Sequence, residues 1–261
     1  MTELVLQLDT VSKSYPGVRA LDRVTLDCRA GEVHAILGEN GSGKSTLMKI
    51  ASGTVTPNSG GVVIAGRPLT AADPSLARSL GLATVYQDDS LVRELSVAQN
   101  LYLGAPAGGV PYGGMIQWAE AQLAPFRLGI SARAPVGSLT PAHRQFVEIV
   151  KALIAKPRVL LLDEPTSTLD IDGVRQLMGL VRELTARGTG VLYVSHRLPE
   201  ILELADRVSI LRDGVHQGTF DVTPEISEHD LVTRMIGRDI ESEFPPKGGT
   251  IGDRVVLSVS G

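Results

Sequence analysis

A glycine-rich run at residues 38–46, GENGSGKST, constrains the fold of this chain more than any other feature. It lies between an apolar stretch at 33–37 and a helical pattern at 46–51. In this strand-loop-helix context, glycines let backbone N–H groups converge on phosphate oxygens, Lys44 can reach the β- and γ-phosphates, and the Ser45 hydroxyl can ligate Mg²⁺. A plain strand-to-helix turn would leave the Gly-Lys-Ser triplet unexplained. The run therefore predicts binding of ATP or GTP.

A second apolar run, at 159–162, ends in two acids, Asp163 and Glu164. A buried parallel strand delivers such carboxylates to the C-terminal edge of its sheet, where ligands bind in open α/β proteins. Two acids after an apolar strand are, on their own, often only solvated loop residues. Beside a phosphate-binding loop, Asp163 is placed to hold Mg²⁺ through water, and Glu164 to polarise the attacking water as a general base.

Two more apolar strands end in polar side chains. The run 82–86 is followed by Gln87, and the run 191–195 by His196. A lone histidine after a strand is often an ordinary polar loop residue. The carboxyl ends of parallel strands in an open α/β sheet lie at one ligand-binding edge. The polar residues after the three strands, Gln87, Asp163 with Glu164, and His196, are therefore predicted to form a single composite site.

In their order along essentially the whole chain, these motifs resemble the nucleotide-binding subunit of an ABC transporter. The resemblance implies an α/β P-loop NTPase fold of ABC type, with a mixed sheet core, an antiparallel β layer and a helical subdomain. It also implies ATP as the nucleotide and Mg²⁺ as its metal. The implied nucleotide contacts are Gly38, Glu39, Asn40, Gly41, Ser42, Gly43, Lys44, Ser45 and Thr46 of the Walker A loop, with Asp163 of Walker B.

The resemblance assigns roles to single side chains as well. Tyr15 becomes the aromatic that stacks on adenine, although one aromatic in an early loop also fits simple packing. His196 becomes the switch histidine that contacts the γ-phosphate, Gln87 the Q-loop residue that senses Mg²⁺ and the membrane partner, and 167–170 the D-loop. Catalytic roles are implied for Glu164, His196, Gln87 and Lys44. Metal ligation is implied for Ser45, Gln87 and Asp163.

Further segments resemble the amino-terminal half of the tandem ATPases that power bacterial ribose- and galactose-type sugar importers. These segments are 86–87, 92–100, 147–153, 195–198 and 236–239. The subgroup implies import of a monosaccharide or similar small polyol. It implies a membrane-embedded permease and a second ABC ATPase domain as partners, and a periplasmic substrate-binding protein indirectly. Two alternatives stay open: a non-transport ABC-type ATPase acting on DNA or ribosomes, and a regulatory nucleotide-binding module with little turnover.

One motif departs from the family pattern. Where the signature LSGGQ is expected, the chain reads Leu139-Thr140-Pro141-Ala142-His143. The residues alone predict a helix over 142–155, with Thr140 as N-cap and Pro141 in the first turn. Pro141 has no N–H to donate and Ala142 adds a Cβ, so we expect the segment to bind phosphate poorly. The chain is thus predicted to offer one complete Walker half-site and one weak signature.

Composition favours an intracellular protein that meets the membrane through a partner. The 261 residues are 43% apolar, enough for a full core, and the single cysteine, Cys28, fits a reducing compartment as buried filler. The net charge of −4 arises from scattered charges, which predicts no nucleic-acid partner. No apolar run nears the ~18 residues of a membrane span, and no leader pattern is present. The expected place is the cytoplasmic face of the inner membrane, as a peripheral subunit.

The expected organisation is one ABC ATPase domain at 1–240, with a helical subdomain at about 88–157. The Gly/Pro-rich stretch 104–114 is expected to be a loop inside that subdomain, or else an interdomain linker. A further linker is predicted at 241–254. Residues 255–261 are either the start of a second, absent ABC domain or a terminal edge strand.

Local patterns also place secondary structure. Strands are predicted at 4–8 and 24–28, paired with each other, and at 62–65 and 208–211. We expect all four to form an antiparallel layer beside the parallel core. A helix is predicted at 116–126.

Overall fold

The computed structural model describes residues 3–87, 90–105 and 112–237. The predicted linker at 241–254 and the predicted segment 255–261 lie outside these residues, as does most of the stretch 104–114. The proposed domain boundaries therefore stay predictions.

Strands and helices alternate through much of the described chain, as in an α/β protein. Its ten strands, in chain order, are β1 (Leu4–Tyr15), β2 (Val18–Arg29), β3 (Val33–Leu37), β4 (Ser59–Ile64), β5 (Arg67–Pro68), β6 (Leu82–Val85), β7 (Val159–Asp163), β8 (Gly190–Val194), β9 (Arg207–Arg212) and β10 (Val215–Asp221). Its α-helices are α1 (Lys44–Ala51), α2 (Pro74–Ser79), α3 (Val97–Leu103), α4 (Met115–Leu123), α5 (Pro141–Leu153), α6 (Ile171–Ala186), α7 (Leu198–Leu204) and α8 (Glu228–Ile236).

The first sheet is antiparallel, with strand order β2-β1-β4-β5. β1 and β2 pair with Leu6 opposite Cys28 and Leu8 opposite Leu26, and all four side chains are buried. The predicted pairing and the burial of Cys28 are confirmed. The strand predicted at 62–65 is confirmed as β4.

The second sheet is mixed, with strand order β10-β9-β3-β8-β7-β6. Neighbours from β9 to β6 run parallel, and only β10 is antiparallel to its neighbour. The prediction that 208–211 belongs to the antiparallel layer is wrong, because β9 pairs in parallel with β3. A hairpin pattern predicts the pairing of β9 with β10, but it carries no information about the strand on the other side.

α1 lies between the two sheets. Leu47 and Ile50 are buried in one apolar cluster that includes Leu6 from β1 and Leu161 from β7. Complete burial of such a side chain contributes about 1.5–3 kcal/mol. This packing holds the start of α1 at a defined place beside the ends of the parallel strands.

A helical lobe, formed by α3, α4 and α5, has its own apolar cluster around Leu101, Met115 and Val147. The helix predicted at 116–126 is confirmed as α4 followed by a 3-10 turn at Ala124–Phe126. The helix predicted at 142–155 is confirmed as α5. No helix in the described residues is both long and apolar enough to cross a membrane. The predicted fold class, with a mixed core sheet, an antiparallel layer and helices, is confirmed.

Candidate nucleotide-binding site

The C-terminal ends of β3, β6, β7 and β8 meet at one sheet edge because the strands are parallel. A cavity of about 670 Å³ lies there, within the usual size of small-molecule sites. The predicted site residues that line it are Gly38, Glu39, Asn40, Gly41, Gly43, Lys44, Ser45, Thr46, Gln87, Asp163, Glu164 and His196. The structure brings these residues together, while their individual roles stay predictions.

Glycines shape the Walker A loop between β3 and α1. Gly43 precedes the helix with φ 106°, and a Cβ there would lie 2.5 Å from the backbone oxygen of Ala20. A Cβ at Gly38 would lie 2.3 Å from the backbone oxygen of Leu211. Gly43 provides no side-chain cap, and the N–H of Leu47 donates to its carbonyl at 2.9 Å. The N–H groups ahead of Leu47 thus lack intrahelical partners and are suited to an anion.

Lys44, the first residue of α1, is only 8% exposed. Its ammonium donates to the carbonyl oxygens of Gly38 and Glu39, at 2.7 and 2.9 Å. Desolvation lowers the pKa of Lys44, and the carboxylates of Glu164 and Asp163 oppose that shift. A buried ammonium beside open backbone donors fits a polyphosphate.

Asp163 ends β7 and is buried. Burial raises the pKa of its carboxyl, and the neighbouring Glu164 raises it further, while Lys44 opposes the shift. Crowded carboxylates of this kind are relieved by a cation, and the Ser45 hydroxyl lines the same cavity. Because Mg²⁺ prefers oxygen ligands, the residues present fit the metal that accompanies a nucleotide.

Glu164 adopts φ 47°, in the left-handed region that a non-glycine residue occupies at a cost of about 1–3 kcal/mol. Its N–H donates to the carbonyl of Val194 at 2.9 Å, which ties the end of β7 to the end of β8. The turn places Glu164 Oε1 3.3 Å from His196 Nδ1. The carboxylate and the imidazole therefore reach the cavity as a pair.

Gln87 lies two residues after β6. Tyr86, between them, is held in place by hydrogen bonds. The Tyr86 hydroxyl donates to Ser52 Oγ at 2.9 Å and lies 3.0 Å from Thr54 Oγ1, just after α1. Gln87 lines the nucleotide cavity, while Tyr86 lines a separate groove. Gln87 is thus placed next to both.

Two predicted contacts, Ser42 and Tyr15, do not line the cavity. Ser42 is 4% exposed, and its hydroxyl has no hydrogen-bond partner among the described residues. Tyr15 is exposed at the end of β1, with Lys13 Nζ 5.4 Å from its ring centroid. Its cross-strand neighbour Val18 does line the cavity. Stacking of Tyr15 on adenine stays a prediction.

Sequence reasoning missed three apolar residues that line the cavity: Val18, Ala20 and Met235. The first two lie on β2, and Met235 lies near the end of α8. They give this part of the cavity an apolar lining. No local pattern marks Met235, since its position depends on the packing of α8 through Leu231 in a cluster with Ile210.

The turn between β9 and β10 supports the Walker A loop. Sequence reasoning did not predict this contact. Gly214 N donates to the carbonyl of Ser42 at 3.0 Å, and the carbonyl of Gly214 accepts from Asp22 N at 2.8 Å. Gly214 has φ 74°, and a Cβ there would lie 2.7 Å from the backbone oxygen of Ala20. The turn therefore links the loop to β2 and requires a glycine.

The degenerate signature segment starts α5 as predicted. Thr140 Oγ1 accepts from His143 N at 3.2 Å, and Pro141 is the first helical residue. Among the lining residues of the nucleotide cavity none comes from 139–143, so in one chain the signature segment and the cavity are separate. The predicted D-loop, 167–170, ends in Asp170, which caps α6 by accepting from Gly173 N at 2.8 Å.

Comparison with known proteins identifies the family. A family model described as ABC transporter matches residues 21–167, more than half of the chain. "Putative ribose/galactose/methyl galactoside import ATP-binding protein 1" of Burkholderia ambifaria is 45% identical over 98% of this chain and 50% of that protein. A ribose import ATP-binding protein of Rubrobacter xylanophilus is 43% identical, over 98% of this chain and 52% of that protein. The chain spans about half the length of these curated relatives.

Solved structures agree with this assignment. An ATP-binding cassette of an ABC transporter superposes with a TM-score of 0.79 at 25% identity, over 91% of this chain and 98% of the other. A dimeric cassette in a post-hydrolysis state, bound to ADP and Pi, gives a TM-score of 0.75 at 26% identity, over 84% and 99%. The chain therefore belongs to the ABC transporter family, and it carries the ATPase domain of that family.

Proposed function

We propose that this chain binds Mg-ATP and hydrolyses it to drive a bacterial importer of a monosaccharide. The observation that carries the proposal is the cavity at the sheet edge, where Lys44, the acids Asp163 and Glu164, and His196 converge. The named relatives, which are import ATP-binding proteins for ribose or galactose-type sugars, support the choice of cargo.

The phosphates would lie on the backbone N–H groups at the start of α1. Lys44 would exchange its two loop carbonyls for the β- and γ-phosphate oxygens. Ser45, Gln87 and Asp163 would hold Mg²⁺, which neutralises charge on the phosphates during transfer. Val18 and Met235 would contact the base, with Tyr15 stacking on it from the β1 end.

Glu164 would accept the proton of the attacking water. Its backbone turn and its contact with His196 fix the carboxylate before the nucleotide arrives, and a positioned general base contributes about 10²–10⁴-fold. His196 would contact the γ-phosphate from the exit of β8. The chemistry would then need one further element, donors aimed at the γ-phosphate from another ATPase domain.

That second ATPase domain is part of the proposal because of α5. Pro141 offers no N–H, and the N–H of His143 is taken by the Thr140 side chain. The productive site would therefore combine the Walker A loop of this chain with an intact signature of its partner domain. The site that uses this chain's α5 would turn over slowly.

The membrane partner would bind a groove between the lobes. Its lining includes Tyr86 and Arg78 from the core, and Glu148 and Lys151 from α5. A short helix of a membrane-embedded permease would fit there, at the cytoplasmic face of the inner membrane, with the chain as a peripheral subunit. A periplasmic substrate-binding protein would act indirectly, by delivering the sugar to the permease.

ATP binding is tested with Lys44→Ala. We expect a loss of about hundredfold in affinity, since each hydrogen bond from a charged group contributes ~1.5–3 kcal/mol. Titration with a fluorescent ATP analogue measures the change. Lys49→Ala, on the same helix but outside the cavity, is the matched control. Equal affinities for both variants would exclude the cavity as the nucleotide site.

Coupling to import is tested with Gln87→Ala in the full transporter. We expect sugar uptake to fall by more than ATP hydrolysis does, because Gln87 lines the cavity and directly follows Tyr86, which lines the groove. Uptake of radiolabelled ribose and galactose by vesicles, compared with phosphate release, gives the ratio. Unchanged uptake would contradict the transport assignment, and ATP binding without turnover in the full assembly would favour a regulatory module.

A further inference from the structure

A buried carboxylate, Glu200, lies behind the proposed catalytic pair. It belongs to α7 and is 5% exposed. One of its oxygens, Oε2, accepts from Thr166 Oγ1 at 2.9 Å, from the Tyr193 hydroxyl at 2.9 Å and from Ser195 Oγ at 3.2 Å. The other, Oε1, lies 3.2 Å from Arg197 Nη1. Four donors thus converge on one side chain.

The donors come from the two segments that carry the catalytic pair. Thr166 follows Glu164 by two residues, in the loop after β7. Ser195 and Arg197 are the residues on either side of His196. Arg197 N also donates to Ser195 Oγ at 3.0 Å, and this local hydrogen bond restricts the backbone on both sides of His196. Glu200 therefore ties together the loops of both catalytic side chains without lining the nucleotide cavity.

The chemistry of this cluster makes it stiff. A buried carboxylate without donors would be strongly destabilising, and with all its donors present it fixes each of them in direction. Burial and the Glu200 carboxylate both raise the pKa of Tyr193, so its hydroxyl stays protonated and donates. Both carboxylate oxygens of Glu200 thus accept hydrogen bonds, and an apolar side chain at this position could not replace them.

We propose that Glu200 is a positioning residue for ATP hydrolysis, which holds Glu164 and His196 in the mutual geometry that the chemical step requires. The inference rests on the proposed function. Its physical basis is that displacement of a reacting group by about 1 Å can cost 10²-fold in rate. Among the described residues, Glu200 has no hydrogen bond to the Walker A loop and does not line the nucleotide cavity, so it should affect the chemical step and leave nucleotide binding unchanged.

The test compares Glu200→Gln with Glu203→Gln in the complete transporter. Glu203 lies on the same helix, is exposed and pairs with Arg182, so it controls for a change of charge on α7. We expect Glu200→Gln to lower kcat for ATP hydrolysis by about 10- to 100-fold, with the Kd of a fluorescent ATP analogue within about twofold of the parent. A kcat equal to that of Glu203→Gln, or an equal loss in kcat and affinity, would overturn the proposal.

A double variant separates positioning from general destabilisation. In a Glu164→Gln background, Glu200→Gln should cause no further loss of rate, because groups that act as one unit are not additive. A further 10-fold loss there would count against the proposal. If Glu200→Gln fails to fold, Thr166→Val and Ser195→Ala each remove one donor and should give smaller losses in kcat with unchanged affinity.

A structural readout needs no turnover. In crystals of Glu200→Gln, the distance between Glu164 Oε1 and His196 Nδ1 should exceed the 3.3 Å of the parent, and in Glu203→Gln it should not. An unchanged distance would sink the positioning role. A parent that shows no hydrolysis would instead sink the proposed function, and the positioning role would then be judged by this distance.

Discussion

Two helices of this protein, α1 and α5, begin in opposite ways. α1 starts after Gly43, which has no side chain to cap the first turn. α5 starts with Pro141 after Thr140, whose hydroxyl accepts from the third residue of the helix. The first arrangement leaves backbone donors open beside the buried ammonium of Lys44. In the second, Pro141 has no N–H and the N–H of His143 donates to Thr140 Oγ1.

A helix N-terminus is therefore not in itself an anion site. The helix dipole is oriented in the same way in α1 and α5, so it does not distinguish them. What differs is which N–H groups the local sequence leaves free, and whether charged side chains converge there. We therefore expect ATP hydrolysis to depend on the start of α1 and its surroundings, and the start of α5 to contribute little to phosphate binding.

The largest effect is expected at the α1 side, from Glu164→Gln. Hydrolysis should fall about 10²–10⁴-fold with ATP affinity retained, because the carboxylate acts on water while Lys44 holds the phosphates. Phosphate release and nucleotide titration measure the two quantities. Glu183→Gln, an exposed change on α6, is the control. Parent-like hydrolysis by Glu164→Gln would remove this residue from the base role.

The next effect is expected when α5 is made like a complete signature, by combining Thr140→Ser, Pro141→Gly, Ala142→Gly and His143→Gln. One missing donor to a developing charge costs about 2.7–4 kcal/mol, so turnover by this chain alone should rise about hundredfold or more. Turnover should also become second order in protein. Phosphate release measured against chain concentration gives both results. Fast, second-order turnover by the unmodified chain would break the comparison of α1 with α5.

A smaller effect concerns β3, the strand that delivers the loop to α1. Burial, with the guanidinium of Arg207, lowers the pKa of His34 on β3 from 6.5 to about 4. As the pH falls, His34 therefore binds a proton near pH 6.5 in the unfolded chain but only near pH 4 in the folded chain. The stability due to neutral His34 is complete above pH 6.5 and is lost as the pH falls to about 4, by about 3 kcal/mol.

Urea unfolding of the parent and of His34→Gln between pH 7 and pH 4 measures this loss. Each curve includes the titration of the other acids, so the difference between the two slopes isolates the histidine. Parallel slopes would show that His34 is not the group responsible.

The smallest effect is expected from Thr140→Ala at the start of α5. Loss of the cap should lower the free energy of unfolding by about 1 kcal/mol, with no change in ATP affinity. Thr140→Ser retains the hydroxyl and should remain within a few tenths of a kcal/mol of the parent. A weaker affinity for ATP in Thr140→Ala alone would show that α5 takes part in binding within one chain.

Much of the site was predictable because its parts are local in sequence. The spacing of Gly38, Gly43 and Lys44 requires a strand before it and a helix after it, and Asp163 must follow a buried strand. Parallel strands then bring the exits of β6, β7 and β8 to one edge. Alternation along β1 and β2 likewise predicted their pairing, since period-two burial is a property of neighbouring residues.

Other features were decided only by the tertiary structure. Three features depend on contacts between residues that are distant in sequence. They are the pairing of β9 with β3, the contact of Gly214 with the Walker A loop, and the position of Met235 in the cavity. Ser42 shows the opposite, since it belongs to the sequence motif but is buried and does not line the cavity. Local patterns determine which face of a strand or helix is apolar. Which partner covers that face depends on the competition among all surfaces when the chain packs, and no short window of sequence contains that information.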